Sequence, residues 1–299
     1  MTSMWMLLAS FCFAAMAVCV KFAAEWFNAG ELVFWRGVVG IVSLWAVARH
    51  HRIPLATRYP GMHAWRSVVG VISLGTWFYA IAHLPLATAM TLNYMSSVWV
   101  AMLLVGGQIF LWQPRPGGTT TPRQGPLVLC VLAGFAGVVM MLRPTIEQNQ
   151  AFAGLIGLFS GLTAAVVYMQ LTALGKVGEP DTRTVFYFAV GSTLAGGLAM
   201  LAGGVSPWNW RGAAWLLPMG LLASAGQLAM TRSYSAGATL LVANLQYSGL
   251  LFGAIFGVAL FGDRIGAWGW SGMALIVASG LAATVLRARA APGTPAEGH

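Results

Sequence analysis

The chain has 299 residues, of which 58% are hydrophobic and only 8% are charged, and its formal net charge is +9. A soluble domain carries about 25% charged residues, so this chain cannot cover a surface that faces water, and we predict an all-α integral membrane protein. The basic residues are single arginines between apolar runs rather than a basic helix or stripe, which excludes nucleic acid as the expected partner.

Ten runs of mostly apolar residues follow one another along the chain, and each is about long enough to cross a bilayer. Short charged or Pro/Gly-rich joints separate them. The predicted spans are 3–23, 32–48, 66–82, 86–107, 125–142, 154–174, 184–204, 214–232, 238–261 and 267–286. The first run lacks the basic segment of a signal peptide, so we expect it to be retained. Residues 288–299 are predicted to form a disordered cytoplasmic tail.

The distribution of lysine and arginine predicts the orientation of these spans. With the N-terminus inside, eleven of the 16 basic residues fall on the inner side and five on the outer side, which is the bias expected of cytoplasmic joints. In this count Arg66 belongs to the inner side and Arg36 to the outer side. An even number of helices places both termini in the cytoplasm. The predicted location is the plasma membrane, the inner membrane of a bacterial cell.

Similarity between the two halves of the sequence indicates an internal repeat. The segment ATAMTLNYMSS (87–97) in the fourth span returns as ATLLVANLQYS (238–248) in the ninth, and Ser10 in the first span matches Ser160 in the sixth. Each half, 1–142 and 143–287, therefore holds five helices, and because five is odd the second half enters the membrane from the opposite side. Such inverted repeats are typical of alternating-access transporters, which bind substrate near the bilayer midplane.

The repeated asparagine is the first candidate for a binding site. Asn93 lies in the outer half of the fourth span and Asn244 in the inner half of the ninth, so the two should straddle the midplane. At 100° per residue, Asn244, Tyr247 and Leu251 share one face of the ninth helix, which we expect to line a cavity. Gln246 lies on the opposite, glycine-bearing face, which we expect to pack against a neighbouring helix. The alternative, that these amides only join helices, stays open because such bonds are common in membrane proteins.

Three segments carry a family resemblance: FWRG opening the second span, LPLATAMTLNYMSSVWVAMLL across the fourth, and YSAGATLLVANLQYSGLLFGAIFGVALFGDRIG in the second half. They resemble the drug/metabolite transporter superfamily, in its EamA-type branch of ten-helix carriers, and most of all the YddG-type exporters of aromatic amino acids and other metabolites. The sequence departs from the family where many members carry proline in both motif helices, because serine stands there. The resemblance implies a central cavity between the halves. It places on or near this cavity Trp77, Tyr79, Asn93, Tyr94, Ser97, Tyr168, Gln227, Asn244 and Tyr247.

The seven acidic residues all fall in joints, at helix ends or in the tail. Because intramembrane carboxylates are the usual proton relays of coupled carriers, we expect uncoupled, facilitated transport, and no cofactor or metal. A cavity of Trp, Tyr, Asn, Gln and Ser without fixed charge should suit net-neutral amphiphilic solutes, above all aromatic or aliphatic amino acids.

Two other classes remain as alternatives. A pore-like permease for another neutral solute, such as a nucleoside or a drug, would need a ring of charge or carbonyl groups. A polytopic membrane enzyme would need a nucleophile with a base or a second buried aspartate to pair with Asp263, and neither is present in the sequence. The expected partners are a small-molecule substrate and membrane lipid, with the protein a monomer or a weak dimer.

Overall fold

The computed structural model describes residues 2–96, 98–100, 102–103, 125–147, 150–235 and 246–290, and in these ranges the regular secondary structure is entirely helical. The all-α prediction is confirmed for this part of the chain. Eleven helices lie within the described ranges: α1 (Thr2–Ala23), α2 (Ala29–His50), α3 (Pro60–His83), α4 (Leu86–Tyr94), α5 (Gly125–Glu147), α6 (Ala151–Lys176), α7 (Asp181–Gly203), α8 (Trp210–Ala213), α9 (Leu216–Ser235), α10 (Ser248–Phe261) and α11 (Ala267–Ala290).

The exterior of this bundle is that of a membrane protein. Five helical stretches in the described part are long and apolar enough to cross a bilayer: Met4–Ala23, Ala29–His50, Ala151–Lys176, Asp181–Gly203 and Trp210–Tyr234. Large aliphatic side chains stand exposed along them, such as Leu198 on α7 and Leu221 on α9. Large exposed apolar patches mark contacts with a membrane or with another protein, and the length of these five apolar stretches indicates a membrane.

Four helices, α2, α3, α6 and α7, begin at least three residues earlier than the hydropathy of the sequence predicts, and the first two have a visible start signal. α2 begins at Ala29 because Asn28 and Glu31 form a capping box, in which each side chain accepts a hydrogen bond from the backbone N–H of the other. α3 begins at Pro60, whose fixed φ suits the first turn of a helix. The predicted starts of α2 and α3 were 32 and 66, and those of α6 and α7 were 154 and 184. At the other boundaries, α5 continues past the predicted end at 142, and α11 runs into the segment predicted as the tail.

The helices pack in a regular set of pairs. α2 packs against α7, α5 against α11 and α4 against α10, while α1 packs against α9 and α3 against α6. Glycine lets α2 and α7 approach closely, since a Cβ on Gly196 would lie 2.6 Å from Cα of Phe34. On the predicted packing face of α10, a Cβ on Gly249 or Gly253 would collide with Tyr94 or Met90 of α4. The glycine-bearing part of that face is therefore confirmed as a packing surface.

The fourth predicted span is not one regular helix. α4 ends at Tyr94 and Met95 forms a turn, after which the N–H groups of Val98 and Trp99 bond to the carbonyl oxygen of Met95. The last turn of α4 lies against α6, because a Cβ on Gly161 would be 2.5 Å from the carbonyl oxygen of Leu92. This irregular backbone is buried in the middle of the bundle, the one place where a membrane protein tolerates it.

A central cavity as the candidate functional site

A cavity of about 70 Å³ lies at the centre of the bundle, among α1, α2, α3, α4, α6, α7 and α9. Five of the predicted site residues line it: Trp77, Asn93, Tyr94, Tyr168 and Gln227. The sequence had placed them on four different spans, and the fold brings them to one space.

The other four predicted residues are distributed differently. Tyr79 lies in a separate apolar crevice between α2, α3, α6 and α7, where its ring stacks on His83 with a centroid distance of 4.1 Å. Tyr247 is buried just before α10 and does not border the central cavity. Ser97 and Asn244 lie outside the described residues. A substrate-binding role for any of the nine stays a prediction.

Asn93 both joins two helices and borders the cavity. Its Nδ2 donates a hydrogen bond to Oγ of Ser160 on α6, at 3.1 Å. The Ser160 hydroxyl in turn donates to the carbonyl oxygen of Gly157, at 2.6 Å. Only 8% of Asn93 is exposed, and its side chain is part of the cavity wall. The two interpretations of this residue are therefore compatible.

In the motif segment of the second half, Gln246 borders the cavity, whereas Tyr247 and Leu251 do not. Its Oε1 accepts a hydrogen bond from the hydroxyl of Tyr234 at 2.8 Å, and its Nε2 donates to the hydroxyl of Tyr168 at 2.9 Å. Leu251 is 62% exposed on the outside of the bundle. Tyr247 and Leu251 thus do not border the cavity as predicted, because the cavity lies beside the glycine face that packs on α4. Asn244 of the same predicted face is not among the described residues.

Two arginines are the main feature that the sequence analysis missed. Arg36 of α2 and Arg66 of α3 are 4% and 2% exposed, and both line the cavity. Their Cζ atoms lie 4.8 and 4.2 Å from the centroid of the Phe188 ring on α7. The charge count assigned Arg36 to the outer side and Arg66 to the inner side, whereas both side chains line the central cavity. The prediction that the cavity carries no fixed charge was wrong. The cause is the early start of α2 and α3, which places each arginine about two turns inside its helix.

Several buried polar atoms of the cavity residues make no hydrogen bond to any described group. They are Nε of Arg36, Nε and Nη1 of Arg66, Nε1 of Trp77 and Oε1 of Gln227. Buried polar groups in native proteins are nearly always paired, so unpaired ones around a cavity indicate atoms that a ligand would satisfy. Four of the five are N–H donors.

A cluster of polar contacts around Lys21 lies at one end of the bundle. Its Nζ donates to the carbonyl oxygen of Leu84 at 2.9 Å and lies 4.0 Å from Oδ1 of Asp263. Oδ2 of Asp263 accepts from the N–H of Leu86 at 2.8 Å. This Lys21 cluster (Lys21, Leu84, Leu86 and Asp263) ties α1, the α3–α4 joint and the α10–α11 joint together.

A second cluster of polar contacts surrounds Glu179, in the α6–α7 joint at the opposite end of α3. Its carboxylate accepts hydrogen bonds from Thr57 at 2.9 Å, from Nε2 of His63 at 3.1 Å and from Arg183 at 3.1 and 3.2 Å. Burial by itself raises the pKa of Glu179, but these hydrogen bonds and the charge of Arg183 outweigh it, and the net pKa is below the ordinary value. The Glu179 cluster (Thr57, His63, Glu179 and Arg183) lies at the start of α3, whereas the Lys21 cluster lies at its end.

The described residues contain no group of three His, Cys, Asp or Glu side chains placed to hold a metal ion. No described carboxylate lines the central cavity. The described lining of the cavity offers two guanidinium groups, three side-chain amides and five aromatic rings, one of them the indole of Trp77 with its N–H. This arrangement can bind a small polar molecule but contains no nucleophile paired with a base.

The chain is similar along nearly its whole length to known proteins. The pseudopaline exporter CntI of Pseudomonas aeruginosa is 31% identical over 278 residues, covering 92% of this chain and 93% of the relative. The chain belongs to the transporter family of this exporter. A riboflavin transporter of Rhizobium johnstonii is 26% identical over 283 residues, and an uncharacterized transporter of Helicobacter pylori is 26% identical over 284 residues. These cover 93% and 92% of this chain, and 89% and 91% of the two relatives.

No family profile matches the chain. A protein of known crystal structure superposes on this transporter with a TM-score of 0.60 over 95% of this chain and 98% of the other, at 17% identity. That likeness shows the fold alone. Membership of a transporter family agrees with the apolar exterior and with a polar cavity at the centre of the bundle, and the relatives are named as transporters rather than as enzymes.

Proposed function

We propose that this transporter exports or equilibrates small amphiphilic metabolites, amino acids or their derivatives among them, by alternating access through the central cavity. The observation that carries the proposal is a cavity at the centre of the bundle that is lined by two arginines and three amides, with one cluster of polar contacts at each end of α3. A cavity of about 70 Å³ is smaller than the roughly 300–1,000 Å³ of typical small-molecule sites. The site must therefore widen when one cluster opens to admit substrate.

The packing pairs support the proposal that the chain is an inverted repeat of two five-helix halves, as in the EamA-type carriers it resembles. In this repeat, α1, α2, α3, α4 and α5 of the first half correspond to α6, α7, α9, α10 and α11 of the second half, in that order. Exchanging the two halves turns the packing pair α1–α9 into the pair α6–α3. The same exchange leaves the pairs α2–α7, α4–α10 and α5–α11 unchanged. All of these pairs are present. A two-fold relation of this kind lets the two ends of a carrier open by equivalent movements.

Hydrogen bonds repeat the same relation at the matched serines. Ser160 on α6 accepts a bond from Asn93, in the motif of the first half, while Ser10 on α1 donates to the carbonyl oxygen of Gln246, in the motif of the second half. Each serine thus ties the first helix of one half to the motif segment of the other half. We propose that these contacts form the pivot around which the two clusters open in turn.

Transport is proposed to be uncoupled from protons and sodium, because the described acids lie in joints or at helix ends and no described carboxylate reaches the cavity. The purified protein in liposomes should exchange labelled solute from a panel of amino acids, amino-acid derivatives and nucleosides. Exchange should saturate with concentration and should be accelerated by unlabelled solute on the opposite side. Flux that stays linear with concentration and is not accelerated from the opposite side would identify a pore instead of a carrier.

A further inference from the structure

The positive charge around the cavity has no described counter-charge. Arg36 and Arg66 converge on Phe188 from two helices, and the two Cζ atoms are within about 9 Å of one another because both distances are measured to one ring centroid. The described acids whose contacts are known belong to the end clusters or to the α2 cap. An uncompensated charge inside a membrane protein is costly and is by default a sign of function.

The site around Arg66 is built to hold its guanidinium in place. A Cβ on Gly70 would collide with Nη1 of Arg66 and would lie 2.8 Å from Cε2 of Phe188. The absence of a side chain at position 70 therefore makes the space in which the guanidinium lies against the ring. A cation over an aromatic face is stabilised by the ring quadrupole, which keeps the arginine in the cavity wall while its N–H groups remain unpaired.

We propose that the substrate is an organic anion whose carboxylate groups bind Arg36 and Arg66. This inference rests on the proposed function and replaces the net-neutral substrate expected from the sequence. The guanidinium fork matches a carboxylate with two parallel hydrogen bonds. The indole N–H of Trp77 is a third donor for the acidic part, and the unpaired Oε1 of Gln227 accepts an N–H group of the same molecule.

Four probes that share a phenyl ring and differ in charge test the proposal: phenylsuccinate, 4-carboxyphenylalanine, phenylalanine and phenylalaninamide. Their affinities for the purified protein are measured by isothermal titration calorimetry. Since a hydrogen bond to a charged group is stronger than a neutral one, we expect the two dicarboxylates to bind at least about tenfold more tightly than phenylalanine. Phenylalaninamide should bind most weakly of the four.

Variants show whether the arginines cause the preference. Arg36→Gln and Arg66→Gln should each lower dicarboxylate affinity at least about tenfold and leave phenylalanine within about twofold. Gly70→Ala keeps both charges but displaces the Arg66 guanidinium, and should also weaken the dicarboxylates. Arg49→Gln is the matched control, because Arg49 is exposed at the end of α2 and should change nothing.

A stability measurement separates ligand binding from a structural role. Because each arginine is an unpaired buried charge in the ligand-free protein, Arg36→Gln and Arg66→Gln should unfold at the same temperature as the wild type or above it. A marked fall in unfolding temperature, together with unchanged dicarboxylate preference, would make the arginines structural and overturn the proposal.

The substrate class and the transport function fail in different ways. If phenylalanine binds and exchanges as well as the dicarboxylates, the anion site is rejected and the transport function stands. If neither dicarboxylate binds, the anion site is again rejected, and exchange of the wider solute panel in liposomes decides the transport function separately.

Discussion

Replacing Asn93 with leucine separates the two roles that this residue combines. The change removes the hydrogen bond to Ser160, and interhelical bonds of this kind average about 0.6 kcal/mol in membrane proteins. Ser160 keeps a partner, because its hydroxyl still donates to Gly157. Asn93→Leu should therefore cost only about 0.6 kcal/mol of stability. Loss of a hydrogen bond to substrate should weaken binding by about 1 kcal/mol, or about fivefold.

Ser160→Ala is the matched variant for this experiment. It removes the same interhelical bond from the other side, but Ser160 does not border the cavity. The two variants should therefore lose similar, small amounts of stability in thermal unfolding. Only Asn93→Leu should raise the substrate concentration needed for half-maximal exchange in liposomes. Equal affinities in both variants would reduce Asn93 to a helix joint and remove it from the site.

Three further predictions concern the close contact of α2 and α7, the Glu179 cluster and the orientation of the protein in the membrane. Gly196→Ala should lower the stability measured by thermal unfolding by about 1 to 3 kcal/mol, because it overpacks the α2–α7 contact. Gly197→Ala is the control and should not destabilise the protein, because its Cβ would be 3.7 Å from its nearest neighbour. Equal losses of stability would contradict the close contact of α2 and α7. Because the pKa of Glu179 is lowered in the folded protein, the stability that Glu179 contributes is present above pH 4.5 and is lost as the pH falls below that value. Glu179→Gln should unfold at a lower temperature than the wild type at neutral pH and should lose less stability on acidification. An acid response equal to that of the wild type would contradict this prediction. With the three native cysteines replaced by alanine, Arg58→Cys should be labelled from the cytoplasm and Val205→Cys from outside; labelling from one side would contradict the orientation.

Composition predicted the helical class and the apolar character of the chain, whereas the resemblance to EamA-type carriers placed the five predicted residues that line the cavity. Asn93 and Ser160 were singled out by the repeat, and they prove to be bonded to one another. A polar residue in an apolar span needs a hydrogen-bonding partner wherever it lies. The repeat between the two halves can therefore identify such a residue without knowledge of the packing.

The arginines were misplaced because hydropathy marks where a span becomes apolar, not where its helix begins. The Asn28–Glu31 capping box and Pro60 extend α2 and α3 outward, which moves Arg36 and Arg66 into the bundle. Both start signals are visible in the sequence. Weighed against hydropathy, they would have placed the two arginines two turns deep and predicted a charged cavity.

Gln246 could not be assigned from its helix face alone. A helical wheel divides a helix into a polar face and a small-residue face, but it does not say which face meets the cavity. Here α4 packs on the glycine face and the cavity adjoins that contact, so Gln246 reaches the cavity while Leu251 points outward. Only the relative positions of α4, α6 and α9 determine this outcome, and they depend on tertiary packing.

The central claim is that one polar cavity is exposed alternately to the two sides of the membrane. Liposomes that contain the purified protein and are loaded with unlabelled 4-carboxyphenylalanine test it most directly, with labelled 4-carboxyphenylalanine outside and no proton or sodium gradient. We predict a transient accumulation of label above its equilibrium level, driven by the outward flow of unlabelled solute, and loss of this accumulation in Arg66→Gln. Entry of label that only approaches equilibrium, or that requires an imposed ion gradient, would contradict the account.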